Sequence, residues 1–223
     1  MEIIRILSTK ELSNDLLEKM EVNGIECIQH NFIEFKPVDF NPELINLGPN
    51  NWIITSQTAW SFLKEKIDQK ILGHKTFFCV GEKTRAEIES EGYPVFLAAK
   101  NSKTLAKSIL AEHPKKSFQY FCGDQRMTYL PTLFQKHNID WYENVIYETL
   151  MTSKKIDEPL DGVLFYSPSG VNSYFETNLY HDEVCFCIGS TTSISAEEHS
   201  DNIIISENST YESVIDSVIK HYL

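Results

Sequence analysis

Hydroxyl side chains gather where apolar runs stop. Trp52-Ile53-Ile54 runs into Thr55-Ser56, and Phe78-Cys79-Val80-Gly81 leads to Thr84. Leu164-Phe165-Tyr166 meets Ser167-Pro168-Ser169-Gly170, and Phe186-Cys187-Ile188-Gly189 is followed by Ser190-Thr191-Thr192. Each is the pattern of a buried strand turning into a helix, whose N-terminus presents unpaired N–H groups and the positive end of a dipole. A hydroxyl there can cap the helix for ~0.5–2 kcal/mol, a role that suits Thr84, Thr191 and Thr192. Capping explains one such site more readily than four. Four matched strand ends suit a ligand with several acceptor groups, such as carboxylates, met by N–H and O–H donors.

Other chemistries find less support. There is no dinucleotide fingerprint and no Gly-x-x-x-x-Gly-Lys-Ser/Thr phosphate loop. Ser167 and Ser169 resemble a nucleophile elbow, but the glycine two positions before the serine is missing and no obvious histidine partner follows. The seven histidines lack metal-ligand spacing, so no metal is expected. Cys185-Phe186-Cys187 alternates like one strand, which favours packed thiols over a metal or redox site. Tyr147, in Val145-Ile146-Tyr147-Glu148-Thr149, could donate a proton; an alternating strand also carries buried tyrosines, so the residue alone leaves both roles open.

These residues need a frame, and the hydropathy pattern supplies one. Strands alternate with helices along the whole chain, which predicts parallel sheets with helices on both faces. Gly24 closes the first helix, Ser102 suits the cap of a helix bearing Leu105 and Ile109, and Ser209-x-x-Glu212 reads as a capping box. Two long extended segments, residues 31–40 and 141–151, have the length to cross between domains. Ten strands would be many for one sheet in 223 residues. The expectation is two five-stranded domains: residues 1–36 with 150–223, and an inserted domain of residues 41–145.

With 42% hydrophobic residues and a net charge of −12, the chain reads as globular and a poor partner for nucleic acid or an anionic membrane. No run of eighteen apolar residues and no signal-peptide layout at the start point to the cytoplasm, and five cysteines fit a reducing compartment.

Taken together, Ile54-Thr55-Ser56 with Ala59, Val80-Gly81 with Thr84 and Ala86, Cys122-Gly123 with Arg126 and Leu130, Tyr147-Glu148-Thr149, Phe165 to Gly170, and Ile188-Gly189-Ser190-Thr191-Thr192 resemble the uroporphyrinogen-III synthase family. The order of the six motifs carries the likeness, since each is short. Many members have Thr-Arg-Pro after the first strand, where this chain has Ser8-Thr9-Lys10. The resemblance implies two flavodoxin-like domains joined by a two-strand hinge, and a cofactor-free monomer. It implies that hydroxymethylbilane loses water in a cleft between the domains and closes, through a spiro intermediate, to uroporphyrinogen III with its last ring inverted. Tyr147 would aid departure of the hydroxyl. Thr55, Ser56, Gly81, Lys83, Thr84, Arg126, Ser167, Ser169, Gly189, Thr191 and Thr192 would hold the substrate's carboxylates, with Arg85 and Lys103 as further cations. The chain's acidity opposes long-range steering, but screening over ~8 Å lets local donors dominate at contact. A transient contact with hydroxymethylbilane synthase is left open. The rival reading is a two-domain anion-binding protein without catalysis.

Overall fold

The computed structural model describes residues 3–223. Two compact units emerge: unit 1 comprises the residues up to Glu34 together with Leu150–Leu223, and unit 2 is Phe35–Thr149. In chain order the first elements are β1 (Ile4–Ser8), α1 (Asn14–Glu21), β2 (Ile25–Gln29), β3 (Ile33–Pro37), α2 (Pro42–Leu47) and β4 (Asn51–Ile54). Next come α3 (Gln57–Lys66), α4 (Gln69–Leu72), β5 (Thr76–Val80), α5 (Glu82–Ser90), β6 (Val95–Ala99), α6 (Ser102–Glu112) and β7 (Phe118–Gly123). The remainder are α7 (Tyr129–Lys136), β8 (Trp141–Met151), β9 (Gly162–Phe165), α8 (Pro168–Phe175), β10 (Val184–Cys187), α9 (Ser190–Ala196), β11 (Ile203–Ile205) and α10 (Tyr211–Tyr222).

Unit 1 is built on a five-stranded sheet of order β11-β10-β9-β1-β2, with every neighbouring pair parallel. Counted within the unit this is 2-1-3-4-5, the flavodoxin order. The other sheet runs β3-β8-β7-β4-β5-β6 and has six strands, not the five expected. The extra strand is β3, one of the two extended crossover segments, which pairs with the other, β8. Thr152 donates its N–H to Phe32 O at one end of that pair and Val38 donates to Ile146 O at the other, so the two run antiparallel. The five parallel strands of unit 2 follow the order 3-2-1-4-5.

Both orders create a place where adjacent strands send their chains to opposite faces, and ligands bind at such switch points. In unit 2 it lies between β4 and β7. After β4 the chain enters α3, whose Ala59, Trp60 and Leu63 pack with Trp52, Phe77 and Phe121. After β7 it enters α7, whose Leu130 and Phe134 join Phe78, Phe118 and Tyr120 on the other face. In unit 1 the corresponding place lies between β1 and β9. There α1 packs Leu16 and Met20 against Ile6 and Phe186, while α8 packs Val171 and Tyr174 against Phe165 and Cys187.

Local chemistry moves several boundaries from their sequence positions. Residues 42–47 are helical although Pro42 reads as a breaker, because the proline occupies the first turn, where it has no hydrogen bond to lose, and Asn41 caps by accepting from Glu43 N–H. Asn101, not Ser102, caps α6, taking the Thr104 N–H at 2.8 Å. Thr210, not Ser209, caps α10 and accepts from Ser213 N–H. At α5 and α9 the caps are Gly81 and Gly189, with no side-chain cap bond, so Thr84, Thr191 and Thr192 do not cap. Among the described residues no helix is long and apolar enough to cross a membrane.

Candidate functional site

The unit 2 switch point is built from the ends of β4 and β7 and one ring supplied by β8. Ser56 follows β4 with extended backbone and caps α3, its Oγ accepting the Ala59 N–H at 3.0 Å. The same Oγ lies 3.3 Å from the Tyr147 hydroxyl, which comes from β8. Tyr147 reaches this place through a bulge. Cys122 of β7 stands opposite Val145, yet Gly123 stands opposite Tyr147, so one residue of β8 is skipped. Consecutive residues Ile146 and Tyr147 consequently pack against one core, which strict alternation forbids.

Gly123 makes the slot for that ring. A Cβ at position 123 would lie 2.3 Å from Tyr147 Cε2 and 2.4 Å from Cζ, so any side chain there evicts the tyrosine. Phe35 meets the ring edge-on at 5.3 Å and Phe62 flanks it at 5.8 Å. The turn after Gly123 fixes the backbone as well: Asp124 N–H donates to Tyr147 O, and its carboxylate accepts from Thr149 N–H at 2.8 Å. Burial pulls that carboxyl up, but the hydrogen bonds from Thr149 and Gln125 outweigh it, and the group ends below its ordinary value. Burial pushes the Tyr147 phenol above its ordinary value, with the Ser56 hydrogen bond acting in the opposite sense. The phenol therefore stays protonated at neutral pH.

The neighbouring hydroxyl, Thr55, points to the other face. Its Oγ1 is 3.4 Å from the hydroxyl of Tyr120, a buried β7 residue whose phenol burial pushes up to about 12. Arg126 is paired with Glu143 at 2.6 Å, and Arg85 with Glu89 one helical turn along α5. Lys103 lies over the Tyr129 ring at 5.7 Å, and Lys83 is exposed in the first turn of α5. Gly81 has φ of 88°, a left-handed conformation that a side chain resists. Thr84 is buried behind it.

Unit 1 repeats the cap at its own switch point. Ser167 caps α8, accepting from Gly170 N–H at 3.1 Å. Thr9, at the end of β1, gives its proton to Leu164 O at 2.6 Å. Ser169 is half-buried in the first turn of α8, Thr191 is exposed, and Thr192 is buried like its counterpart Thr84. Gly189, with φ of 178°, is plain extended backbone. Sequence reasoning missed Tyr211. Its hydroxyl accepts from Lys10 Nζ at 2.9 Å, and the ammonium lies 5.4 Å from its ring centre. Lys10 is exposed and an ammonium has three protons to give, so this cation is held in place with donor capacity to spare. The signal available was an aromatic in the first turn of the last helix, too common to single out. Among the described residues no group of three or more His, Cys, Asp or Glu is placed to hold a metal ion.

A family model described as uroporphyrinogen-III synthase HemD matches residues 14–216. Among solved structures, a uroporphyrinogen-III synthetase from Helicobacter pylori superposes with a TM-score of 0.72 at 18% identity, covering 98% of this chain and 99% of that one. A mutant uroporphyrinogen III synthase from the extremely thermophilic bacterium Thermus thermophilus gives 0.66 at 14% identity, with 97% and 98% covered. These identities speak for the fold; the family model speaks for the family. Comparison with curated proteins finds no match.

Proposed function

Since the chain belongs to the uroporphyrinogen-III synthase family, we propose that Tyr147 is the proton donor of its reaction and that the strand ends of both units take the substrate's carboxylates. The activity itself is that of the family, a cyclising lyase that turns hydroxymethylbilane into uroporphyrinogen III. The single observation that carries the reading of the site is the Tyr147 phenol, slotted on Gly123 and hydrogen-bonded to the α3 cap at a switch point.

The chemistry asks little of side chains. The hydroxymethyl carbon–oxygen bond breaks as the pyrrole nitrogen's lone pair moves in to give an azafulvene cation, and the oxygen needs a proton to leave as water. The Tyr147 phenol, whose ordinary value of 10.0 already leaves it protonated at neutral pH, provides it. The spiro intermediate then depends on the chain being folded so that the substituted carbon of the last ring attacks, which is a matter of positioning. Backbone N–H groups at the starts of α3, α5, α8 and α9 serve the acetate and propionate groups, along with Ser167, Ser169, Lys83, Thr191 and the fixed cation Lys10. Arg126 serves once a carboxylate competes with Glu143 for it. Thr84, Thr192 and Thr55 act by shaping these ends, because the first two are buried and the third faces Tyr120. The reading extends to a cytoplasmic monomer that takes its bilane from hydroxymethylbilane synthase in passing; the five free cysteines support a reducing compartment.

The test supplies hydroxymethylbilane freshly made by its synthase, oxidises the product and separates the porphyrin isomers. Isomer III is expected, and isomer I alone, as in the spontaneous closure, overturns the activity. Tyr147→Phe should lower turnover about tenfold, less than the roughly 10²–10⁴ of a full general acid, because the pyrrole nitrogen already pushes the hydroxyl out. Unchanged turnover removes Tyr147 from the mechanism.

A further inference from the structure

Ser56 Oγ stands between two partners, and the count of protons decides what it can do for each. It accepts the Ala59 N–H at 3.0 Å and lies 3.3 Å from the Tyr147 hydroxyl. A serine hydroxyl has one proton to give, and so has a phenol. Only one of the two can therefore donate to the other. If Tyr147 donated to Ser56, its proton would point away from any substrate. If Ser56 donates, the phenol proton is left for the departing hydroxyl.

We propose that Ser56 is the positioning residue for Tyr147, relaying the N-terminus of α3 to the phenol oxygen through the sequence Ala59 N–H to Ser56 O–H to Tyr147 O. The inference rests on Tyr147 being the donor, and it removes Ser56 from the carboxylate ligands. Among the described residues Ser56 is the one side chain hydrogen-bonded to the Tyr147 hydroxyl, the ring being otherwise walled by Gly123, Phe35 and Phe62. The inbound bond from Ala59 polarises the serine and makes its O–H a better donor.

The proton balance closes. When the carbon–oxygen bond breaks, the Tyr147 proton leaves with the oxygen as water and a phenolate remains. That phenolate accepts the Ser56 O–H, backed by the positive end of a ten-residue helix. The proton shed when the last ring regains aromaticity returns the phenolate to phenol. Burial works against that phenolate, and the Ser56 hydroxyl is the contact that works for it, most strongly after transfer.

The test is a double-mutant cycle read on kcat and KM, with thermal unfolding recorded for each variant. Ser56→Ala should lower kcat by roughly three- to tenfold, the worth of one hydrogen bond, while KM stays within about twofold. Ser56→Thr, which caps and donates, should restore the rate. Ser56→Asp keeps the cap but has no proton to give at neutral pH, so it should lower kcat without lowering thermal stability. In the Tyr147→Phe background Ser56→Ala should change kcat no further. The relay is overturned if Ser56→Ala leaves kcat unchanged, or lowers it by the same factor with Phe at 147. A loss in Tyr147→Phe without one in Ser56→Ala removes the relay alone; no loss in Tyr147→Phe removes donor and relay together.

Discussion

Ser56 and Ser167 occupy the same position in their respective units. Each ends a central strand in extended backbone, each caps the helix that follows, and each accepts the N–H three residues on, at 3.0 and 3.1 Å. What differs is the neighbouring strand. Beside Ser56 stands β7, ending in a glycine that admits the Tyr147 ring. Beside Ser167 stands β1, whose Thr9 is tied to the backbone of Leu164. The glycines differ in the same sense: Gly81 is needed for its left-handed backbone, whereas Gly189 has a conformation open to any residue. A cap is common property of both units. What sets the units apart is the ring that the adjacent strand end leaves room for, and the proposed proton donor is that ring.

The contrast can be broken most forcefully at the glycines. Gly123→Ala should cost at least as much turnover as Tyr147→Phe and destabilise by about 1–3 kcal/mol, because its Cβ collides with the ring. Gly170→Ala meets nothing nearer than Ser167 Oγ at 3.4 Å and lies within a helix, so activity and stability should stay close to wild type. Equal losses in the two variants would erase the distinction. A smaller effect separates binding from chemistry. Lys10→Met should raise KM several-fold and leave kcat near wild type, the reverse of Tyr147→Phe, as steady-state kinetics would reveal.

Smaller still, Ser167→Ala should lose a cap worth about 1 kcal/mol in thermal unfolding and keep its kcat, unlike Ser56→Ala. The least effect is on alkaline stability. Burial raises the Tyr120 phenol to about 12 in the fold, above its ordinary value of 10.0, so the folded state prefers the neutral form. Its contribution is complete below pH 10.0 and declines as pH climbs toward 12. Tyr120→Phe should flatten that part of the stability curve, and a curve unchanged in shape would show that another group governs it.

Most of the frame was legible in the residues. Alternating apolar runs and hydroxyl-bearing stops located the strand ends, since burial and capping are local demands. The five-strand count for the second sheet failed because both crossover segments look like connectors until they are seen to pair with each other. Thr84 and Thr192 were read as caps from their type, but a cap is set by backbone geometry, and glycines hold it in both places. The bulge opposite Gly123 left no trace in the pattern, because skipping one residue of β8 depends on pairing with β7. Tyr147 was singled out by its motif, but its contact with Ser56, 91 residues away, was not legible.

The pairing of β1 with β9 governs how the molecule is assembled as it is synthesised. Ile6 sits opposite Gly162, so the centre of unit 1 waits until the whole of unit 2 has left the ribosome. Until then β1 has only β2, and a two-stranded pair is marginal in water. Unit 2 lies on one continuous stretch and can fold first. Once it has, the antiparallel pair of β3 and β8 brings Phe32 and Thr152 within a hydrogen bond, and the long loop that unit 1 must close becomes a short one. A folded unit 2 thus shortens the loop that its host must close, which lowers the entropic cost of pairing β1 with β9.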